Sequence, residues 1–369
     1  MPTLPGVVTP PVEPGIVVPG VRPVVNSRRT TDVSPDDRRG VVSGDPCAVP
    51  RSATRARQTR DDCPDARFQQ TPSQRSQTTG VPVAPLTPGR DVPLTPGRDI
   101  GVETTWNAWT EANYVDLSDR RYGLDTKNRL TTWTAGADRK LSDSVVAGFS
   151  FGIQKSKGSG FDDFMRSDAS GLTVGPYVAV RLSPNWAVDA SFSYAENRSN
   201  VQIVVLSGNS TQRSYTGTVN LHGQYVVDGW YLRPKLSVSY ARYIGDAHDL
   251  QGALFGVPLS LHFDSTQTNF GIAEAYGEIS RLFSFANGFY VIPYLELGAH
   301  YAFERPNGGQ ILTGDLLAAF PSPWVGSLRS GARMQLPNNA LVEASFGYLS
   351  VGQPGLDVLE GKIRVSVGF

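Results

Sequence analysis

The last eleven residues read LEGKIRVSVGF, from Leu359 to Phe369. Leu359, Ile363, Val365, Val367 and Phe369 share one face at a spacing of two, and Glu360, Lys362, Arg364 and Ser366 share the other. Successive side chains of a strand point to opposite faces, so this is a β-strand with one apolar and one charged side. The pattern recurs upstream. Trp186, Val188, Ala190, Phe192 and Tyr194 stand against Ala187, Asp189, Ser191 and Ser193. Tyr215, Val219, Leu221, Tyr225 and Val227 stand against Thr216, Thr218, Asn220, His222 and Gln224.

Twelve segments of this kind are predicted, near 103–117, 130–141, 144–156, 169–182, 185–198, 212–227, 229–243, 265–283, 288–304, 324–336, 339–350 and 357–369. The first and eighth alternate poorly. Short turns are expected at Ser142-Asp143, Pro184-Asn185, Asp228-Gly229, 284–287 and Pro337-Asn338, where Asp-Gly and Asn-containing pairs suit tight hairpins. Longer polar connections are expected near 118–129, 157–168, 199–211, 244–264, 305–323 and 351–356. Short and long connections alternate, as they do when both ends of an antiparallel barrel lie on one side.

A soluble sandwich also alternates, so three further features decide. The segments exceed the usual 5–6 residues of soluble strands and match the roughly 9–11 that cross a bilayer when tilted. Aromatic residues mark many strand ends (Trp186, Trp230, Tyr231, Phe289, Tyr290, Tyr301, Phe303, Trp324, Tyr348 and Phe369), as in the interfacial girdles of a membrane barrel. The face opposite the apolar one carries charge in mid-strand. Arg181, His222, Arg233, Lys235, Glu296, His300, Arg329, Arg333, Lys362 and Arg364 are therefore the candidate lumen-lining residues. The most apolar stretch, 282–303, holds Ser284, Asn287, Pro293 and Glu296 and makes a poor spanning helix. The expected fold is all-β: a 12-stranded antiparallel transmembrane β-barrel over 103–369, preceded by a disordered Pro-rich N-terminal region.

That N-terminal region is a different material. Residues 1–100 hold 17 of the 27 prolines and one aromatic residue, Phe68. Residues 1–25 repeat Val and Pro with Gly, so helix and central strand are disfavoured there, and residues 28–80 carry too few large apolar side chains to offset the entropy of ordering them; residues 1–84 are thus expected to be disordered. Residues 85–92 (PLTPGRDV) and 93–100 (PLTPGRDI) are a tandem octapeptide, read as a linker over 85–102. Cys47 and Cys63 are the only cysteines. A disulfide between them would fit an oxidising compartment and contribute about 3 kcal/mol by loop entropy; two free thiols in a flexible tail are the alternative. The start, MPTLPGVVTPPVEPG, lacks the basic and apolar regions of a secretory signal, so for an outer-membrane protein a fragment or a misassigned start is expected.

The region from about residue 101 to Phe369 resembles the translocator barrel of autotransporters, the type V secretion proteins. The resemblance rests on the C-terminal position, the twelve strands, the alternating connections and the ending KIRVSVGF. It implies a bacterial outer-membrane address, contact with lipid, and a C-terminal signal at Ile363, Val365, Val367 and Phe369 read by the barrel assembly machinery. It also implies export or display of an N-terminal segment by a monomer. Two departures stand out. The family places a helix before the first strand, where this chain has its proline-rich repeat, and residues 1–84 contain no β-helix passenger.

Catalytic and metal chemistry find little support in the sequence. His222 and His300 fall on polar strand faces, while His248 and His262, with Asp249 and Asp264, share a long loop without diagnostic metal spacing. No cofactor, metal or enzymatic activity is expected, and a net charge of zero points to no nucleic-acid partner. The alternative to export is a non-enzymatic adhesin or porin-like channel, meeting host or surface ligands through its long loops.

Overall fold

The protein is described by a computed structural model over residues 93–95, 104–121, 125–160, 163–285, 289–306, 311–312, 318–319, 322–336 and 339–369. The expectations for residues 1–92, including the Cys47–Cys63 pair, lie outside these residues.

Twelve strands form the wall. They are β1 (Trp106–Asp119), β2 (Thr126–Ser142), β3 (Val145–Gly160), β4 (Met165–Ser183), β5 (Trp186–Ile203) and β6 (Leu206–Gly223). β7 (Trp230–Gly245), β8 (Thr266–Arg281), β9 (Tyr290–Glu304), β10 (Trp324–Gln335), β11 (Ala340–Val351) and β12 (Leu356–Gly368) complete it. Each pairs antiparallel with its chain neighbours, and β12 returns to β1 in a register running from Asn107↔Gly368 to Asp119↔Leu356. At the end of this seam Trp106 and Phe369 exchange two backbone hydrogen bonds of 2.9 Å. The wall is closed. In hydrocarbon an open edge would leave backbone groups unpaired at several kcal/mol each, so closure is what allows a sheet to span.

Burial is inverted relative to a soluble protein. On β12, Ile363, Val367 and Phe369 are exposed on the outer face, whereas Glu360, Lys362, Arg364 and Ser366 are buried on the inner face. The same inversion holds around the wall, where Phe149, Phe151, Phe192, Val219, Leu236 and Leu297 are exposed. Such a continuous apolar exterior is a membrane surface. From Leu359 to Phe369 the band rises about 23 Å for strands tilted near 45°. Cations stand over aromatic rings at its turn-side rim, Arg281 5.3 Å from the Trp230 ring centre and Arg139 5.4 Å from that of Trp106. Tyr231 departs from the expected girdle: it is buried, on the inner parity it shares with Arg233.

The connections differ from expectation at the loop end. Residues 157–168 and 199–211 are mostly strand, since β3 runs to Gly160, β4 starts at Met165, β5 runs to Ile203 and β6 starts at Leu206. Above the lipid both faces meet water, so apolar alternation stops while pairing continues through polar partners such as Glu196↔Arg213 and Asn200↔Asn209. The expected loop 244–264 contains a hairpin, His248–Leu254 with Val257–Phe263, which adds to the outer end of β6 through Leu206↔Gly252. At the turn end Asp228-Gly229 adopts φ of 50° and 78°, the left-handed pair that a two-residue hairpin needs.

Inner aromatic rings lie flat over glycines of the neighbouring strand. A Cβ at Gly136 would run into the Trp109 ring, and one at Gly148 into the Tyr177 ring. Trp109 Nε1 donates to Tyr177 Oη at 2.8 Å, and Tyr177 Oη donates to Asp138 Oδ2 at 3.1 Å, linking β1, β4 and β2 inside the barrel. Gly148→Val is expected to displace Tyr177 and break this chain, at an overpacking cost of about 1–3 kcal/mol. Lower thermal stability in heat-modifiability electrophoresis, with Gly217→Val as an outer-face control, checks it.

Candidate functional site

The lumen collects the chemistry-bearing side chains. Among the described residues, eight carboxylates and six Lys or Arg are buried, all on wall strands. The mixed sign means that the lining is a paired network rather than a ring of one charge.

Four of the candidate lining residues, all arginines, form its core, each bonded to a carboxylate or amide, and a fifth candidate, Glu296, is among the acceptors. Arg333 on β10 donates from Nη1 and Nη2 to Glu278 on β8 at 2.9 and 2.6 Å, a bidentate fork, and lies 4.4 Å from the Tyr294 ring centre. Arg364 on β12 donates from Nε to Glu111 on β1 at 2.8 Å and from Nη1 to Glu343 on β11 at 3.4 Å. Glu111 and Arg364 are direct partners across the closing seam. Arg329 bridges Glu360, at 2.8 Å from Nε, and Glu296. Arg233 donates from Nε to Gln224 Oε1 at 2.8 Å.

The other candidates sit as follows. Lys235 is buried with its ammonium 5.2 Å from the Tyr276 ring centre, and Lys362 is buried between Glu343 and Glu360, with which it interacts electrostatically. His222 bonds Asp189, whose other oxygen accepts from Asn220 Nδ2 at 2.8 Å. Arg181 stands apart at the turn end, its Nη1 donating to the Asp143 carbonyl at 3.4 Å. Sequence reading named Glu296 and placed Asp189 and Glu360 on polar strand faces without singling them out, and it missed Glu111, Glu274, Glu278 and Glu343, which also partner these side chains. Their inner-face parity was the available signal.

His300 sits in a chain whose order resembles a hydrolytic triad. Its Nε2 lies 2.9 Å from Ser327 Oγ and its Nδ1 2.8 Å from Glu274 Oε1. Tyr276 Oη also donates to Glu274, at 2.7 Å. Acyl transfer needs, in addition, an exposed nucleophile and donors aimed at a developing oxyanion. Ser327 is 4% exposed and packs over Gly298, leaving a tie between β8, β9 and β10. His248 and His262 do not converge. His262 pairs with Asp249 and Phe263 with His248, so the two imidazoles leave opposite faces of the hairpin. No metal-binding group occurs among the described residues.

At the turn end the lumen holds residues 93–95. Leu94 is buried against Val146 on β3, Ala179 on β4 and Ala187 on β5, all inner-face residues. Thr95 Oγ1 donates to Asp138 Oδ1 at 3.4 Å, beside Asn107 Nδ2, which donates to Asp138 Oδ2 at 3.1 Å.

The wall is thus twelve-stranded and closed by its last strand, with residues 93–95 seated inside it. The profile of the autotransporter β-domain family matches residues 108–347. The chain belongs to the autotransporter β-domain family. Among solved structures, the translocator domain of the autotransporter NalP from Neisseria meningitidis is similar at 14% identity, with a TM-score of 0.58, over 73% of this chain and 90% of that one. The β-domain of the Bordetella autotransporter BrkA is similar at 15% identity, with a TM-score of 0.57, over 72% of this chain and all of that one. Comparison with curated protein sequences finds no significant match. The autotransporter β-domain is an outer-membrane translocator and anchor barrel, and its bacterial outer-membrane location accounts for the apolar exterior described above.

Two expected outcomes follow from this geometry. Arg364→Met leaves Glu111 without its seam partner in a low-dielectric lumen and is expected to destabilise the barrel by about 3 kcal/mol, while Arg364→Met with Glu111→Gln regains most of it. Equilibrium unfolding in urea-titrated lipid vesicles measures both. Outside the membrane, the Asp249 carboxylate, accepting from His262 Nδ1 at 2.6 Å, holds the imidazole above its ordinary value. The clamp is therefore complete below pH about 6.5 and is lost as pH rises through the raised value. NMR titration should show His262 shifting back toward the ordinary value in Asp249→Asn.

Proposed function

We propose that this β-domain exports its own N-terminal segment, residues 1–84, to the cell surface and then anchors it there through the linker 85–102. The supporting observation is Leu94 and Thr95 seated among inner-face residues at the turn end of the lumen. A chain held there, between the wall and the segment before it, is one that has entered the barrel. The barrel acts without catalysis, as the near-complete burial of Ser327 suggests, and as a monomer, because one chain pairs every wall strand. The assembly machinery engages Ile363, Val365, Val367 and Phe369 before the seam closes, while the last strand still lacks β1. Two polar contacts across that seam, the Arg364–Glu111 ion pair and Asn113 Nδ2 donating to Glu360 at 3.2 Å, then lock it.

The adhesive reading finds its own support in the hairpin above β6. Phe255 at its tip is 97% exposed, with Leu254, Val257 and Leu259 exposed beside it. It adds a contact surface to the displayed segment and does not replace export.

An epitope tag near residue 30, probed with proteinase K on intact cells, tests the export reading. Removal of the tag from intact cells, with the barrel fragment protected, is the expected result. A tag digested only after the outer membrane is permeabilised overturns it.

A further inference from the structure

We propose that the turn end of the lumen is a Pro-Leu-Thr binding site that either copy of the tandem octapeptide can occupy, giving the linker two registers eight residues apart. This rests on the reading of residues 85–102 as a linker through the barrel.

The site is built from the wall. Val146 and Ala179 are direct partners on β3 and β4, and Ala187 lies diagonally across on β5. Two alanines beside a valine leave a hollow on the inner face, and the Leu94 side chain fills it to 5% exposure. Thr95 adds a polar contact, its hydroxyl donating to Asp138, an oxygen-rich group already held by Asn107 and Tyr177. The ligand is thus a short peptide segment with an apolar γ-branched side chain followed by a hydroxyl.

That ligand occurs twice. Pro85-Leu86-Thr87 repeats Pro93-Leu94-Thr95, and the two octapeptides differ only at Val92 and Ile100, outside the seated triplet. Identical triplets make identical contacts, so the wall cannot distinguish them. What differs is the length of chain left before β1. With Leu94 seated, residues 96–103 bridge Thr95 to Thr104; with Leu86 seated, residues 88–103 do. The same shift draws the upstream chain eight residues inward, about 25 Å in an extended polyproline conformation, comparable to the apolar band itself. Outward movement of the N-terminal segment therefore passes through two equivalent holding positions, first with copy one seated and then with copy two. The observed register, with copy two seated, is the more outward of the pair.

Disulfide trapping in intact cells tests this on the full chain with Cys47 and Cys63 replaced by serine. Leu94→Cys is paired with Val146→Cys, and separately Leu86→Cys with Val146→Cys; Ala179→Cys serves as a second anchor should Val146→Cys impair assembly. Heat-modifiability confirms a folded barrel in each case. The 94–146 pair is expected to cross-link in most molecules. The 86–146 pair is expected to cross-link in a minority, rising several-fold when Leu94→Asp evicts the second copy. If 94–146 forms and 86–146 stays unlinked even with Leu94→Asp, the two-register proposal is overturned and the linker reading stands. If neither pair forms with either anchor, the linker reading falls as well.

Discussion

The structure depends on one constraint: inside hydrocarbon, every backbone N–H and C=O must find its partner within the chain. For a sheet this means that the first and last strands must meet. Here β1 and β12 do so in a register that runs without interruption from Asn107 to Asp119. This pairing joins residues from opposite ends of the barrel domain, so it is the most costly contact in chain entropy and the last that assembly can make. Its side chains reflect that. Glu111 faces Arg364, Asn113 reaches Glu360, and Val115 and Leu117 pack with Leu356 and Val358 at the loop end of the same seam.

Closure alone does not fix which residues face lipid. A one-residue slip would exchange the two faces of a strand. With a bland apolar lumen such a slip would cost little, because lipid and lumen would be alike. The charged inner face removes that ambiguity. A slip of β10 would turn Arg329 and Arg333 into the bilayer, at about 2–4 kcal/mol each near the midplane, and would strand Glu278, Glu296 and Glu360 inside. The buried pairs contribute less to net stability than to uniqueness of register, because desolvation offsets much of their attraction.

This explains how much of the molecule was legible in its sequence. Ten strands could be read because their lipid-facing side chains must be apolar while their inner ones are polar. β1 and β8 read poorly because their inner faces are mixed. Trp109, Val115 and Leu117 are buried beside Glu111 and Asn113, and Phe270, Ile272 and Tyr276 beside Glu278. An apolar inner residue next to an apolar outer one erases the period of two. Above the membrane the signal failed for the opposite reason, since both faces of 196–200 are polar. The lining cations were visible as isolated charges. Most of the pairings were not, because Arg333 with Glu278, or Arg364 with Glu111, are joined by the order of strands around the wall, and no local pattern encodes that order. The Leu94 seat was illegible altogether, being a hollow defined by two small side chains on separate strands.

The linker raises the same question of backbone partners from inside the barrel. A helix would satisfy its own amides in the lumen, and PLTPGRDVPLTPGRDI cannot form one, with Pro85, Pro88, Pro93 and Pro96 at short intervals. A segment without helical pairing must instead leave its amides to whatever the lining offers. Proline is a physical answer to that problem. It has no N–H to satisfy, so Pro93 and Pro96 remove donors on both sides of the seated Leu94-Thr95 pair, and its fixed φ leaves little further entropy to lose. The remaining contacts pass to side chains, Leu94 into its alanine-lined hollow and Thr95 onto Asp138. At residues 93–95, proline thus lowers the number of amides that the lining must satisfy, where a helix would pair them internally.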